Sequence, residues 1–446
     1  MAGKFTKDTI FTFVIRLLNL VLATISSVIV ARTLGPEGKG IYSAAVLLPP
    51  LLLAFTNPAI GSAAVYFIGK KKYSPKEVFG NHIIFSFLNS IFSVLVGLII
   101  ILFFGNKFFP NIKIVYLISG LFLTPLYIFL NSNLGILLAL QKIRKYNLVS
   151  FIQELVYLLG VAFMVLGLGL GIETVIIIEF SSLFITCVAL FLWIKKEAGG
   201  ISFKLNKLYL RESLSYGVKI YFGGILSFFR RRADMFLVNF FLNPTALGFY
   251  SIAVALSEKI LLIAQSSGLI LFPRVASEND KNRLKQFTPL VCRNTLFITF
   301  ILAIILFFFS DFLITNFYSK AFAEAVIPFK IVLFGAVAVS GLSSLSSDIS
   351  GRGKPMIPAY ISIVPIMANI ILDILWIPKW GIKGAAWVSL ISDIILFIIT
   401  VVVYSKISGN RIKDIIFVKK SDFRLYKNFL ILFKNKYFNY SNNQTR

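Results

Sequence analysis

Apolar stretches of about twenty residues, the length that crosses a bilayer as a helix, recur from end to end of this 446-residue chain. Breaking the sequence at its charged and Gly/Pro/Asn clusters leaves twelve of them: 9–31, 41–68, 79–104, 114–140, 148–166, 173–194, 217–241, 248–272, 287–309, 325–350, 357–377 and 384–405. A buried soluble core does not need that repetition, whereas a bilayer demands it. Composition agrees, with 57% hydrophobic and only 14% charged residues and a mean hydropathy of +0.85. The expected fold is an all-α polytopic membrane protein of twelve transmembrane helices.

The ionisable inventory removes most enzymatic chemistry. His82 is the single histidine, and the two cysteines, Cys187 and Cys292, sit far apart in apolar runs. A metal centre, a Ser-His-Asp triad and a disulfide framework are therefore not expected, and no cofactor is implied. A net charge of +26 reads in a membrane protein as basic loops on the cytoplasmic side, in contact with the anionic bilayer, and not as nucleic-acid binding. Of the 45 Lys and Arg, only 7 fall in the odd-numbered loops, while 10 fall in the tail from Lys406. Both termini are thus expected inside, at the cytoplasmic membrane. The tail, 406–446, carries a short apolar patch from Asn428 to Phe433, too short to span, and is expected to lie on the inner leaflet or stay disordered. The first apolar run is too long for a secretory signal and leads into no cleavage site, so it reads as a retained helix.

Set against itself at an offset of 208, the chain repeats. Residues 31–46, ARTLGPEGKGIYSAAV, match 239–254, NFFLNPTALGFYSIAV, at seven of sixteen positions, including Pro36 with Pro244, Gly40 with Gly248, Tyr42 with Tyr250 and Ser43 with Ser251. A fainter echo pairs Gly171-Ile172 with Gly381-Ile382. The expected organisation is two six-helix bundles of the same orientation, 1–205 and 206–405, followed by the tail. Parallel repeats of this kind are a transporter architecture, with the site between halves that rock against each other. Pro49-Pro50, Pro125 and Pro365 are expected to bend their helices.

Charges inside spans are the most informative residues, because a central Arg or Asp costs about 2.5 to 3.5 kcal/mol to insert and is retained where it faces a bundle interior or a watery cavity. Arg230, Arg231 and Arg232 fall in the seventh span, and the repeat maps them onto the middle of the first helix, at Leu22 to Thr24. Arg230 and Asp234 are spaced to pair on one helix face, which leaves Arg231 and Arg232 without a local partner. With Arg16 and Lys259 they form the candidate basic, substrate-binding cavity. Guanidinium forks bind phosphate oxygens bidentately, which suits a diphosphate better than a cationic drug. Among the scattered acids, Asp234, Glu258 and Asp373 are the candidates for coupling to a proton or Na+.

The turn Ala31 to Tyr42, the run Ser227 to Asp234 leading into LNPTALGFYSIA, the GRGKP loop at Gly351 and the turn Ile377 to Trp387 together resemble the polysaccharide flippases of the multidrug/oligosaccharidyl-lipid/polysaccharide exporter superfamily. The branch most resembled is that of the Wzx-type O-antigen and repeat-unit flippases. The resemblance spans 1 to about 405 and is weaker for the branch than for the superfamily, since lipid II flippases and MATE drug exporters share the plan. It implies two V-shaped helical bundles and export of undecaprenyl-pyrophosphate-linked oligosaccharide for surface polysaccharide such as O-antigen lipopolysaccharide. A polysaccharide polymerase and chain-length machinery are the implied partners. An integral-membrane glycosyltransferase or polymerase, the reading from another class, would be expected to carry a large outer loop with catalytic residues; here the longest runs only from Ser310 to Glu324.

Overall fold

Backbone amides in hydrocarbon must find partners within their own segment, so a chain this apolar can only satisfy them as helices or as a closed barrel. The computed structural model describes residues 2–422 other than 170, 278, 279 and 355, and the described residues are almost wholly helical, with no strand. The helices are α1 (Ala2–Thr56), α2 (Ile60–Gly69), α3 (Pro75–Phe108), α4 (Ile114–Leu121), α5 (Thr124–Ala139), α6 (Ile143–Gly160), α7 (Ile172–Glu197) and α8 (Lys207–Phe241). They continue with α9 (Pro244–Glu258), α10 (Leu261–Ser277), α11 (Lys281–Phe312), α12 (Val326–Gly351), α13 (Met356–Ser408) and α14 (Ile412–Ile416).

By length and apolarity, eight of the described helical segments can cross a membrane, or nine when the broken pair α9 and α10 counts as one. Two of the eight are double passes. In α1, Gly35 has φ 66° and ψ −179°, and in α13, Gly381 has φ 60° and ψ −143°, so neither point is helical. Glycine meets those angles without a Cβ penalty. Side-chain bonds show that the first helix turns back there. The Asn147 amide of α6 donates to Thr12 Oγ1 (2.9 Å), near the start of α1, yet further along α6 the Tyr157 hydroxyl donates to Tyr42 (2.9 Å), which lies beyond the break. Counting each double pass as two, and adding α8, whose arginines lower its hydropathy, the helices agree with the twelve expected spans.

Several spans are less regular than apolarity alone suggests. The second is interrupted at residues 57–59, where Ala59 has φ 52°, and resumes as α2. The fourth breaks between α4 and α5, with Pro125 in the first turn of α5, where a missing N–H costs nothing. The helix carries through Pro49-Pro50 and Pro365. The eighth is broken at Lys259–Ile260, between α9 and α10.

By contact density the chain forms two compact units: residues 1–259, 308–332 and 362–392, and residues 260–307, 333–361 and 393–446. The first unit has one core where α2, α3, α5 and α7 meet, around Phe67, Phe79, Leu183 and Tyr209, and another around Val30, Tyr42, Tyr157 and Val175. His82 belongs to the first core: its ring nitrogens meet the Ser132 carbonyl and the Tyr209 hydroxyl, each at 2.7 Å, so the single histidine is a packing residue. The second unit is centred on Cys292, Leu345, Val401, Tyr404 and Ile415. Ile415 belongs to α14, so the start of the tail packs onto this core. Arg293 fixes it there, with its guanidinium on both Asp422 oxygens (2.5 and 2.7 Å) and on the Asp414 carbonyl (3.1 Å). That guanidinium holds the Asp422 carboxyl below its ordinary range. The Asn428 to Phe433 patch lies outside the described residues.

Removing one partner of a buried ion pair costs about 3–5 kcal/mol, because it strands the other charge. Asp422→Ala should therefore loosen the tail's attachment while the spans stay inserted. Limited proteolysis in detergent should cut residues 409–422 in the variant well before it cuts them in the parent.

Candidate functional site

The arginines of the seventh span all lie on α8 and differ in what surrounds them. Arg232 meets Glu258 at the end of α9 in a forked pair, Nη1 to Oε1 at 3.0 Å and Nη2 to Oε2 at 3.2 Å. Arg232 has no local acidic partner, as its spacing predicts, but it has this distant one. The partner is distant in sequence because the turn at Asn243 folds α9 back along α8. Arg231 is exposed, and its side chain closes no hydrogen bond or ion pair among the described residues. Arg230 is half-buried. Lys259 follows Glu258 at the helix break. Arg16, half-buried on α1, has no hydrogen-bond or ion-pair partner among the described residues, and nothing joins it to the α8 cluster.

Asp234 does not take Arg230 as its partner. Its Oδ2 accepts from the Tyr250 hydroxyl (2.6 Å) and from Ser389 of α13 (3.1 Å), and its Oδ1 accepts from the Met235 N–H (2.7 Å). Asp373, also on α13, is fully buried, and neither of its carboxylate oxygens has a hydrogen-bond partner among the described residues. Its charge bears on Asp234 and Tyr250. Two of the three coupling candidates thus come together around Tyr250, while Glu258 is occupied by Arg232.

A second polar cluster is absent from the residues singled out by sequence. Glu179 of α7, buried, accepts from Tyr42 (3.3 Å) and Tyr127 (3.2 Å), Tyr157 donates to Tyr42, and the Lys39 ammonium stands 5.0 Å from the centre of the Tyr42 ring. Tyr42 and Tyr250 are partners in the 208-residue repeat. The Gly171/Gly381 echo, with its offset of 210, carries Glu179 onto Ser389, and the main offset carries Ser26 onto Asp234. Each half therefore has a tyrosine hub with one acid and one serine in the flanking positions, and the acid and serine have exchanged places. Ser26 is buried, its hydroxyl without a hydrogen-bond partner among the described residues. The signal that could have found Glu179 is this repeat, extended to the sixth span.

The repeat also meets itself in space. The Ser43 hydroxyl donates to Ser251 at 3.2 Å. A Cβ on Gly40 would collide with the Pro244 carbonyl, and one on Gly248 with the Pro36 carbonyl. The two turns are packed backbone to backbone about a local two-fold.

Residues 29–327, which take in both turns, both tyrosine hubs and the arginine run, match the family model described as polysaccharide biosynthesis protein. The chain belongs to that polysaccharide biosynthesis family. Its long apolar helices make it a multi-pass membrane protein. An uncharacterized membrane protein of Methanocaldococcus jannaschii is 23% identical over 406 residues, 89% of this chain and 96% of that one. A probable low-salt glycan biosynthesis flippase of Haloferax volcanii, Agl15, is 24% identical over 231 residues, 51% of this chain and 48% of its own length. Among solved structures, the lipid II flippase MurJ in an inward closed conformation superposes with a TM-score of 0.74 at 18% identity, covering 91% of this chain and 89% of that one. At that identity the likeness is one of fold.

Proposed function

We propose that this member of the family is a flippase that carries undecaprenyl-pyrophosphate-linked oligosaccharide repeat units across the cytoplasmic membrane for surface polysaccharide synthesis, by alternating access and without covalent chemistry. Arg231 carries the reading: an exposed guanidinium in the middle of a span, with no carboxylate on it among the described residues, is an expensive feature that a diphosphate would repay by bidentate bonding. Arg232, held in place by Glu258, and Lys259 beside it extend the positive field, and Arg230 and Arg16 complete the proposed set. A cationic drug would find repulsion there. The relative from Haloferax volcanii, named as a glycan flippase, supports the substrate class. The proposed rocking units are the repeat halves 1–205 and 206–405. A polymerase and chain-length proteins are the proposed partners that would consume the exported units.

The test is export itself. Arg231→Ala should leave the protein in the membrane but reduce surface polysaccharide by about a hundredfold, the loss of two charge-assisted bonds. Arg231→Lys should be intermediate, because Lys keeps the charge and loses the fork. Normal export by Arg231→Ala at normal membrane levels would remove the basis of the reading.

Both termini are proposed to be cytoplasmic, from the scarcity of Lys and Arg in the odd-numbered loops. Reporters fused after Lys72, after Lys196 or at Arg446 should read cytoplasm, and reporters after Glu37 or Asn243 should read outside. Reversal at any two of these sites contradicts the topology.

A further inference from the structure

On one face of the first compact unit, α3, α5 and α7 enclose a groove of about 640 Å³, well within the size range of small-molecule sites. Its rim is formed by side chains left open on the helix surface, Phe87 at 66% exposure and Phe184 at 52%. Its depth comes from small residues, Ser86, Ser90 and Cys187, and from the start of α5 at Pro125. Its wall is almost wholly apolar: the Ser90 hydroxyl donates to the Ser86 carbonyl (2.6 Å), the Ser86 hydroxyl accepts from Asn133 (3.5 Å) and the Cys187 thiol donates to the Leu126 carbonyl (3.6 Å). Such a wall, opening on the lipid-facing side of apolar spans, suits hydrocarbon.

Its ends are not alike. Along α7 the lining runs from Phe184 to Phe191, and one turn past Phe191 stand Lys195 and Lys196, both exposed. Lys76 is likewise exposed at the head of α3, and Lys142 and Lys145 are gathered nearby on Glu197 (both 2.7 Å or less). A hydrocarbon slot with a basic mouth complements an amphiphile with one long chain and a phosphate at its end. We infer that this groove receives the prenyl chain of the lipid-linked substrate, with Lys195 and Lys196 meeting its phosphate as the lipid loads, before the phosphate passes on to Arg231 and the head group crosses. This inference rests on the flippase reading and adds the place where the lipid is gripped.

The full chain in lipid nanodiscs can be photolabelled with geranylgeranyl phosphate carrying a diazirine in its chain, and the labelled peptides mapped by mass spectrometry. Label should concentrate on residues 83–95 and 184–191, and Ser90→Phe and Cys187→Phe, which fill the slot, should each lower it about tenfold. Lys195→Gln with Lys196→Gln should weaken labelling by the phosphate but not by the corresponding prenyl alcohol; this pair is on the surface and tests the site even where a filling variant fails to fold. Label spread evenly over all lipid-facing helices, or displaced as well by phosphatidylglycerol as by unlabelled prenyl phosphate, overturns the inference in favour of ordinary boundary lipid. Lipid-linked oligosaccharide serves as a second competitor. If it displaces label from other helices, the groove is wrong and the flippase reading stands; if it displaces label nowhere, both fall.

Discussion

A disulfide between residues 43 and 251 should stop export completely, and a reductant should restore it. Ser43 and Ser251 occupy equivalent positions of the repeat, with hydroxyls 3.2 Å apart, which brings their Cβ atoms close to the spacing a disulfide requires. The glycines beneath them let the turns touch through backbone, with Gly40 against the Pro244 carbonyl and Gly248 against that of Pro36. On the proposed topology these turns face outside, and a flippase that releases its load there is expected to part them. With Cys187→Ala and Cys292→Ala as background, Ser43→Cys/Ser251→Cys should cross-link rapidly under mild oxidation and give no surface polysaccharide until reduced. The single variants Ser43→Cys and Ser251→Cys, which cannot form this bridge, should export normally under the same oxidation. Undiminished export by the fully cross-linked protein would show that the turns never separate. Gly248→Val makes the opposite demand: its side chain cannot coexist with the Pro36 carbonyl, so the closed arrangement should be lost and spin labels on the two turns should show only the long distance.

What the sequence made legible follows from the range over which each signal acts. Hydropathy is local, and the need to satisfy backbone polar groups in hydrocarbon converts it directly into helices; the twelve apolar runs therefore correspond to helical segments with boundaries a few residues adrift. The break between α4 and α5 falls at Pro125, one of the prolines expected to bend its helix, while the break at 57–59, at Asn57-Pro58, lies inside a run that hydropathy alone reads as one span. The repeat supplies the long-range information that hydropathy lacks. It relates Tyr42 to Tyr250 through sequence identity alone, and that relation holds as two buried tyrosine hubs. It fails where the halves have diverged, since exchanging the acid and serine positions hides Glu179 and Asp234 from an identity search. The partner of Arg232 is hidden for a simpler reason. Helix spacing rules see three or four residues along one helix, and Glu258 is 26 residues away on the next.

Asp373→Asn should leave a protein that inserts and binds its substrate but no longer responds to an ion gradient. Three donors already serve Asp234, whereas both oxygens of the nearby Asp373 are buried with none among the described residues. A carboxyl buried in that way is kept either protonated or paired with a bound cation, and exchanging that ion changes the charge near Asp234 and Tyr250. Such a group can bias one arrangement of the halves over the other by as much as its ion affinity differs between them. In vesicles, export by the parent should rise with an imposed proton or Na+ gradient and fall to a basal rate when the gradient is collapsed. Asp373→Asn, nearly isosteric and uncharged, should run at the basal rate under both conditions, about a hundredfold below the driven rate for a coupling of roughly 3 kcal/mol. Tyr250→Phe is the control for mere damage. It removes one neutral donor from Asp234, worth about 1 kcal/mol, and should slow export without abolishing its response to the gradient. An Asp373→Asn variant as gradient-sensitive as the parent would place the coupling ion elsewhere, with Asp234 itself the next group to substitute.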